Sequence, residues 1–302
     1  MGRAVIIGSG VVGTATGKGF ADTGHSVQFV DINRARVEEL RREGFAASTV
    51  IDLSGPPSFI FLTVPTPSSG QGYDLSILEA GVRSVGEALR HAGAWHTVVV
   101  RSTVPPGTCE NLVKPLLEQV SGRKVGDHFA LASNPEFLRA ASAREDFLMP
   151  WMTVIGSRSR RTVERLVALY QGFGGEVRTF SSPAEAELVK CAHNLFNATK
   201  ISFWNEMWKI GQRLGVGVDQ VAATVAHSAE GSLNPEYGIK GGKPFAGACL
   251  PKDTRGFLGF AAELGLEMPV LDAVIRTNES LAAEHNGHRT PKEPVEIQLM
   301  SA

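Results

Sequence analysis

The chain is poor in cysteine, carries almost no net charge and contains no long apolar run. Its 302 residues include three cysteines, Cys109, Cys191 and Cys249, an odd number with no CxxC pair. That argues against a disulfide framework and against a zinc site, so no metal is expected and a reducing cytoplasm fits best. A formal net charge of −1 leaves no electrostatic footprint for nucleic acid or for an anionic membrane. The apolar opening Ala4-Val5-Ile6-Ile7 breaks at Gly8. It is too short for a signal h-region and far too short to span a bilayer. There is no internal repeat and no low-complexity segment. What remains, 43% hydrophobic and 20% charged residues, describes a globular chain of one large domain or two ordinary ones.

The first half alternates. Short β-rich runs at Ala4–Ile7, Ser26–Val30, Phe59–Val64, Thr97–Arg101, Phe129–Ala132 and Thr153–Ile155 are separated by stretches of helical period. This is the pattern of a parallel sheet covered by helices on both faces, an α/β doubly wound, Rossmann-type domain over residues 1–182. Pro183 suits the first turn of a helix, and from Ala184 to Arg213 there is no proline and only Gly211 as glycine. A helix of roughly 28–30 residues, about 40–45 Å long, is expected there. Such a spine serves a domain core or a dimer seam. Further helices are expected at Asp219–His227, Pro251–Leu264 and Pro269–Ala283, giving an all-helical domain over 183–284 and a flexible tail over 285–302.

Gly8-Ser9-Gly10-Val11-Val12-Gly13 follows the first strand and opens a helix. In that context the glycines allow a tight turn, close approach of backbone to a pyrophosphate, and close helix–strand packing. The phosphates would lie on the helix N-terminus. Asp31 closes the second strand, 18 residues after Gly13, and its carboxylate suits the ribose hydroxyls of NAD while repelling the extra phosphate of NADP. Arg34 and Arg36 pull weakly the other way.

Cys249 is preceded by the small residues Ala246, Gly247 and Ala248 and followed by Pro251, Lys252 and Asp253. The small residues admit a substrate to the sulfur, and Pro251 in the first turn puts the thiol at a helix N-terminus. The helix dipole and Lys252 favour a nucleophilic thiolate. Cys109 and Cys191 are read as structural, the commoner role of cysteine. Lys190 and Asn194 stand four apart on the long helix and share a face. Aimed into a cleft, they could stabilise an oxyanion; the alternative is a solvated lysine and an asparagine bonded to backbone.

Six motifs together resemble the UDP-glucose/GDP-mannose 6-dehydrogenase family over residues 1 to about 284. They are Gly8–Gly13 with Asp31, Thr63-Val64-Pro65-Thr66-Pro67, Ser102-Thr103-Val104-Pro105-Pro106-Gly107, Asn134-Pro135-Glu136-Phe137-Leu138-Arg139, Lys190 with Asn194, and Cys249-Leu250-Pro251-Lys252-Asp253. The wording of Asn134–Arg139 and of Met152–Gly156 leans toward the GDP-mannose branch. The resemblance implies NAD as cofactor, a nucleotide-linked sugar alcohol as substrate and a homodimer. It implies two oxidations to a carboxylate through a thioester on Cys249, with Lys190 and Asn194 stabilising the oxyanion. Asp253 and Thr103 would orient a water, and Glu136 would be the general base for hydrolysis. Lys240, Phe245, Gly247 and the backbone of Phe137, Leu138 and Arg139 would line the sugar side. Val64, Thr66, Ser102 and Arg36 would touch the cofactor beside Gly8, Gly10, Val11, Val12 and Gly13.

Departures accompany the likeness. The second glutamate usual four residues after Glu136 is Ala140, and the usual Gly-Gly-Ser before the cysteine is Ala246-Gly247-Ala248. The family's dimer-crossing arginine has no obvious counterpart. Family members continue into a second Rossmann-like domain where this chain stops. That implies a natural short form with altered recognition, completed by a small-handled substrate or a partner chain, or else a truncated sequence. Two other functions stay open at this point: a single-step hydroxyacid or alcohol dehydrogenase, which needs no Cys249, and a non-catalytic NAD-binding subunit.

Overall fold

A computed structural model of the protein describes residues 2–69, 72–228, 241, 243–247 and 249–286. The chain divides into two compact units, Met1–Asn194 and Leu195–Ala302.

The first unit is built on an eight-stranded sheet. Its strands are β1 (Arg3–Ile7), β2 (Ser26–Val30), β3 (Ala46–Ser48), β4 (Ser58–Leu62), β7 (His96–Val100), β8 (Phe129–Ser133), β9 (Met152–Gly156) and β10 (Glu176–Phe180), with a separate hairpin of β5 (Ser68–Ser69) and β6 (Gly72–Tyr73). The order is β10-β9-β8-β7-β4-β1-β2-β3. Strands β4, β7 and β8 are buried at every position, which is why they read as unbroken apolar runs rather than alternating ones. Each strand feeds both faces. Val5 and Ile7 of β1 pack with Ile60, Leu62, Val98 and Val100 on one side. Ala4 and Ile6 pack with Phe59, Phe61 and Val99 on the other, as the two-residue period requires. Helices α1 (Val11–Asp22), α2 (Arg34–Arg42), α3 (Ser76–Arg90), α4 (Lys114–Ser121), α5 (Ala143–Leu148) and α6 (Arg160–Leu169) connect the strands.

The sheet departs from the expected all-parallel form. It is parallel from β3 across to β8, but β8 meets β9 antiparallel at Ser133 and Gly156, and β9 and β10 are parallel to each other. The link from β8 to β9 carries a 3-10 turn and the six-residue α5. Strand β10 has no apolar signature because four of its five residues are exposed at the sheet edge, a common way to blunt an edge.

Helix α7 runs from Pro183 to Leu214 and contributes residues to both units. The second unit adds α8 (Val218–Ser228), α9 (Cys249–Glu263) and α10 (Pro269–Asn286). Its core joins Ile210 of α7 to Ala261 of α9 and Met268. Glu206, 3% exposed, accepts the N–H of Val270 at 2.6 Å and of Leu271 at 3.3 Å, so a carboxylate of α7 satisfies the bare first turn of α10. Because α10 extends to Asn286, the first two residues assigned to the tail are helical; the rest of the tail lies outside the described residues. Among the described residues no helix is long and apolar enough to cross a membrane.

Candidate active site

Strand order reverses between β1 and β4, and open α/β sheets bind ligands in the crevice outside the strand ends at such a point. Gly8 ends β1 there with φ +92°, a left-handed conformation open to glycine. A Cβ on Gly13 would meet Gly8 O at 1.9 Å and Thr63 Oγ1 at 2.6 Å, so the helix start can lie on the turn only with glycine present. Thr63 Oγ1, at the end of β4, donates to Gly8 O at 2.7 Å and pins the turn. Helix α1 opens at Gly10 without a side-chain cap, leaving its first N–H groups free to meet an anion. Nothing lies within 4 Å of where a Gly10 Cβ would point.

Gly8, Gly10 and Thr63 line a cavity of about 1170 Å³ that also includes Val11, Val12, Asp31, Val64, Thr66, Ser102, Thr103 and Glu136. The volume suits a dinucleotide, being at the upper end of small-molecule sites. Asp31 Oδ2 accepts Ser9 N–H at 2.7 Å and Oδ1 accepts Asn33 N–H at 2.9 Å. Arg36, expected to touch the cofactor, clasps the turn beside it: its guanidinium donates to Ser9 O at 3.1 Å and to Thr14 Oγ1 at 2.8 Å. Ser102 Oγ donates to Val64 O and Thr66 Oγ1 to Thr103 O, each at 2.6 Å, locking the β4 and β7 ends together.

Lys190 is not the solvated lysine of the bland reading. It is 6% exposed, its Nζ lies 3.3 Å from Glu136 Oε1 and 5.2 Å from the centre of the Phe137 ring. The other Glu136 oxygen accepts Leu138 N–H at 2.6 Å. A buried ammonium is tolerable only when so paired. His193 packs against Phe137 and stacks on Trp151; burial first, and then the Lys190 charge, push its imidazole below its ordinary value. Asn194, one turn on from Lys190, is exposed. Arg139 turns its guanidinium to Asp146, which holds that carboxyl well below the usual range.

Two side chains that the sequence reading passed over fix this region. Glu187 of α7, 2% exposed, accepts Gly107 N–H at 2.6 Å and Cys109 N–H at 2.9 Å. It thereby anchors the loop that follows Thr103, and burial raises its pKa. Arg101 lies buried under the same crevice. A lone acid inside a helix and an arginine at a strand end carry no spacing signal that could have found them. Cys109 is buried and Cys191 half-buried, both free, and burial pushes both thiols up.

In the second unit Cys249 is the first residue of α9 and is exposed. Gly247 has φ +90°. Phe245 is held by a double hydrogen bond, its N–H to Asn278 Oδ1 at 2.6 Å and its carbonyl from Asn278 Nδ2 at 3.0 Å. Lys252 and Asp253 pair with each other at 2.8 Å, both exposed. Lys240 lies outside the described residues.

A crevice of this size above an uncapped helix end, with an acid at the close of β2, defines a dinucleotide-dependent protein. A buried ammonium–carboxylate pair reaches its wall through Glu136. Comparison with known proteins sharpens this. Residues 2–50 and 55–174 match the UDP-glucose/GDP-mannose dehydrogenase family, NAD binding domain, and residues 184–280 match the central domain of that family. GDP-mannose 6-dehydrogenase of Pseudomonas savastanoi pv. phaseolicola is 34% identical over 303 residues, 92% of this chain and 68% of that protein. A UDP-glucose 6-dehydrogenase of Haloferax volcanii is 33% identical over 298 residues, 91% of this chain and 69% of that protein. The crystal structure of a ternary complex of GDP-mannose dehydrogenase from Pseudomonas aeruginosa superposes with a TM-score of 0.85 at 31% identity, covering 96% of this chain and 72% of that one. The chain belongs to the UDP-glucose/GDP-mannose dehydrogenase family. NAD is its cofactor, and it is an oxidoreductase acting on CH–OH groups.

Proposed function

We propose that the chain oxidises the primary alcohol of a nucleotide sugar to a carboxylate in two steps through a thioester on Cys249. One observation carries the reading: Glu136 lines the same cavity as Gly8–Val12 and is ion-paired with the buried Lys190. NAD supplies hydride acceptance in both oxidations. The free N–H groups of α1 would hold its pyrophosphate and Asp31 its ribose. The alcohol becomes an aldehyde on losing a hydride and its hydroxyl proton. Cys249 Sγ adds to the aldehyde carbon, and the adduct becomes a thioester on losing a second hydride and its hydroxyl proton, both protons passing to solvent. Lys190 and Asn194 stabilise the oxyanion. A water held by Thr103 and Asp253 and deprotonated through Glu136 then releases the acid and the free thiol. Phe137, Leu138 and Arg139, with Lys240, Phe245 and Gly247, take the sugar side. Relatives named for GDP-mannose and for UDP-glucose support the substrate class. A homodimer in a reducing cytoplasm completes the reading, supported by the exposed apolar residues Leu195, Phe196, Ile201 and Trp208 of α7 and by three free cysteines.

The test counts products. Incubation with GDP-mannose or UDP-glucose should give two NADH per acid, and Cys249→Ala should lose acid formation by roughly a thousandfold or more while still binding NAD. Normal acid output from Cys249→Ala would sink the thioester route, and one NADH per turnover would reduce the chain to a single-step dehydrogenase.

A further inference from the structure

Arg101 follows the last residue of β7, at the carboxyl end of the parallel sheet. It is 4% exposed, yet among the described residues no carboxylate pairs with it. Burying a guanidinium without a counter-charge is costly unless its hydrogen bonds are made elsewhere. They are. Nε donates to Thr16 Oγ1 of α1 at 2.9 Å. Nη1 donates to Asn134 Oδ1 at 2.8 Å and to Asn134 O at 3.2 Å, and lies 3.3 Å from Tyr170 OH. The cation also sits 5.3 Å from the centre of the Phe147 ring.

The partners lie on both sides of the chemistry. Thr16, fully buried, stands one turn into the helix whose N-terminus faces the cofactor cavity. Asn134 begins the segment that places Glu136 against Lys190, and both ends of its amide are hydrogen-bonded. Oδ1 also accepts Tyr170 OH at 2.5 Å, and Nδ2 donates to Val154 O at 2.7 Å. Arg101 is therefore a rigid fork between two elements that share no hydrogen bond of their own, and it lines the cofactor cavity itself. A lysine, with one nitrogen, cannot hold both ends.

We propose that Arg101 is a positioning residue that couples the dinucleotide helix to the Glu136–Lys190 pair, so that NAD in the cavity fixes the catalytic segment 134–139. The proposal rests on the reading that Glu136 and Lys190 act in the reaction. Loss of the fork leaves both halves folded but uncoupled, and small displacements of reacting groups are expensive in rate.

The cleanest variant is Thr16→Val, which removes one hydroxyl and keeps the shape; Tyr170→Phe and Arg101→Lys accompany it. Hydrogen–deuterium exchange of a peptide spanning residues 134–142, which stops short of the Arg144–Asp22 contact between α5 and α1, is measured with and without NAD, beside steady-state kinetics. In the wild type NAD should slow exchange in that peptide, and in Thr16→Val and Arg101→Lys this protection should vanish. Tyr170→Phe, which removes the hydroxyl bonded to both Arg101 and Asn134 but leaves their direct bonds, should only weaken it. Thr16→Val should lower kcat about tenfold while KM for NAD stays within about threefold, a split that a merely structural loss does not produce. Wild-type protection in Thr16→Val overturns the coupling, and so does a fall in kcat that merely tracks the fall in Tm. If the wild type makes no acid from any nucleotide sugar, the proposed function fails, and the exchange measurement alone still decides the role of Arg101.

Discussion

The two units hold their chemical groups in opposite ways. In the first, side chains around the crevice are tied to neighbours within the fold: Asp31 to Ser9, Thr63 to Gly8, Ser102 to Val64 and Lys190 to Glu136. In the second, Cys249 is exposed, Lys252 and Asp253 pair with each other at the surface, and hydrogen bonds to Asn278 hold Phe245 on the segment that precedes the cysteine. A dinucleotide site is made largely of backbone, so the fold must build it whether or not a ligand is present. A nucleophile needs a helix start and room, which local sequence supplies.

The largest effect that probes this contrast is at Gly13. Its missing Cβ would land 1.9 Å from Gly8 O, so Gly13→Ala should lose about 3 kcal/mol of stability and all measurable NAD binding. Gly10→Ala should leave the melting temperature nearly unchanged, since nothing lies within 4 Å, yet weaken NAD about tenfold or more because the methyl stands where phosphate approaches. Calorimetry with NAD on both variants checks the pair. Full affinity in Gly10→Ala would mean that the uncapped helix end does not receive the phosphates.

Glu187 and Glu206 make a matched comparison along α7, since each accepts two backbone N–H groups of another element. Either alanine variant should cost about 1–3 kcal/mol by stranding those donors. Thermal melts would sharpen the contrast: a much smaller loss for Glu206→Ala means that the second unit relaxes around a missing cap where the first cannot.

Next in size is the acid response of the first unit. His96 is fully buried, and burial first, then the Arg3 charge, lower its pKa from 6.5 against a weak opposing contact with the Leu53 backbone. Between that lowered value and 6.5 the unfolded chain binds a proton that the folded one refuses. Stability therefore rises with pH in that window and is lost as pH falls below 6.5, by at most about 1.4 kcal/mol per pH unit. Denaturant melts of His96→Leu between pH 7.5 and 5.5 should show a flatter profile; an unchanged slope would exonerate His96.

The smallest effect is expected at the surface of the second unit. Lys252→Met removes an exposed ion pair, and such pairs contribute little. The melting temperature should not move, and the rate of Cys249 alkylation by iodoacetamide should stay within about twofold, because Asp253 already occupies the lysine. A large drop in that rate would show that Lys252 acts on the thiol after all.

By itself the sequence determined what is local. The glycine turn, Asp31 at a strand end, the long helix after Pro183 and Cys249 at a helix start are all written within a few residues, where turn geometry, apolar period and helix breakers speak directly. The tertiary structure alone decided what depends on residues far apart in the chain. Strand β10 was illegible because edge residues are charged, and the reversal of β9 because direction leaves no mark on composition. Lys190 meets Glu136 across 54 positions, and Arg101 reaches Thr16 across 85. Burial turned those side chains from surface charges into paired or forked groups, and burial is set by the whole sheet and its helices rather than by any segment alone.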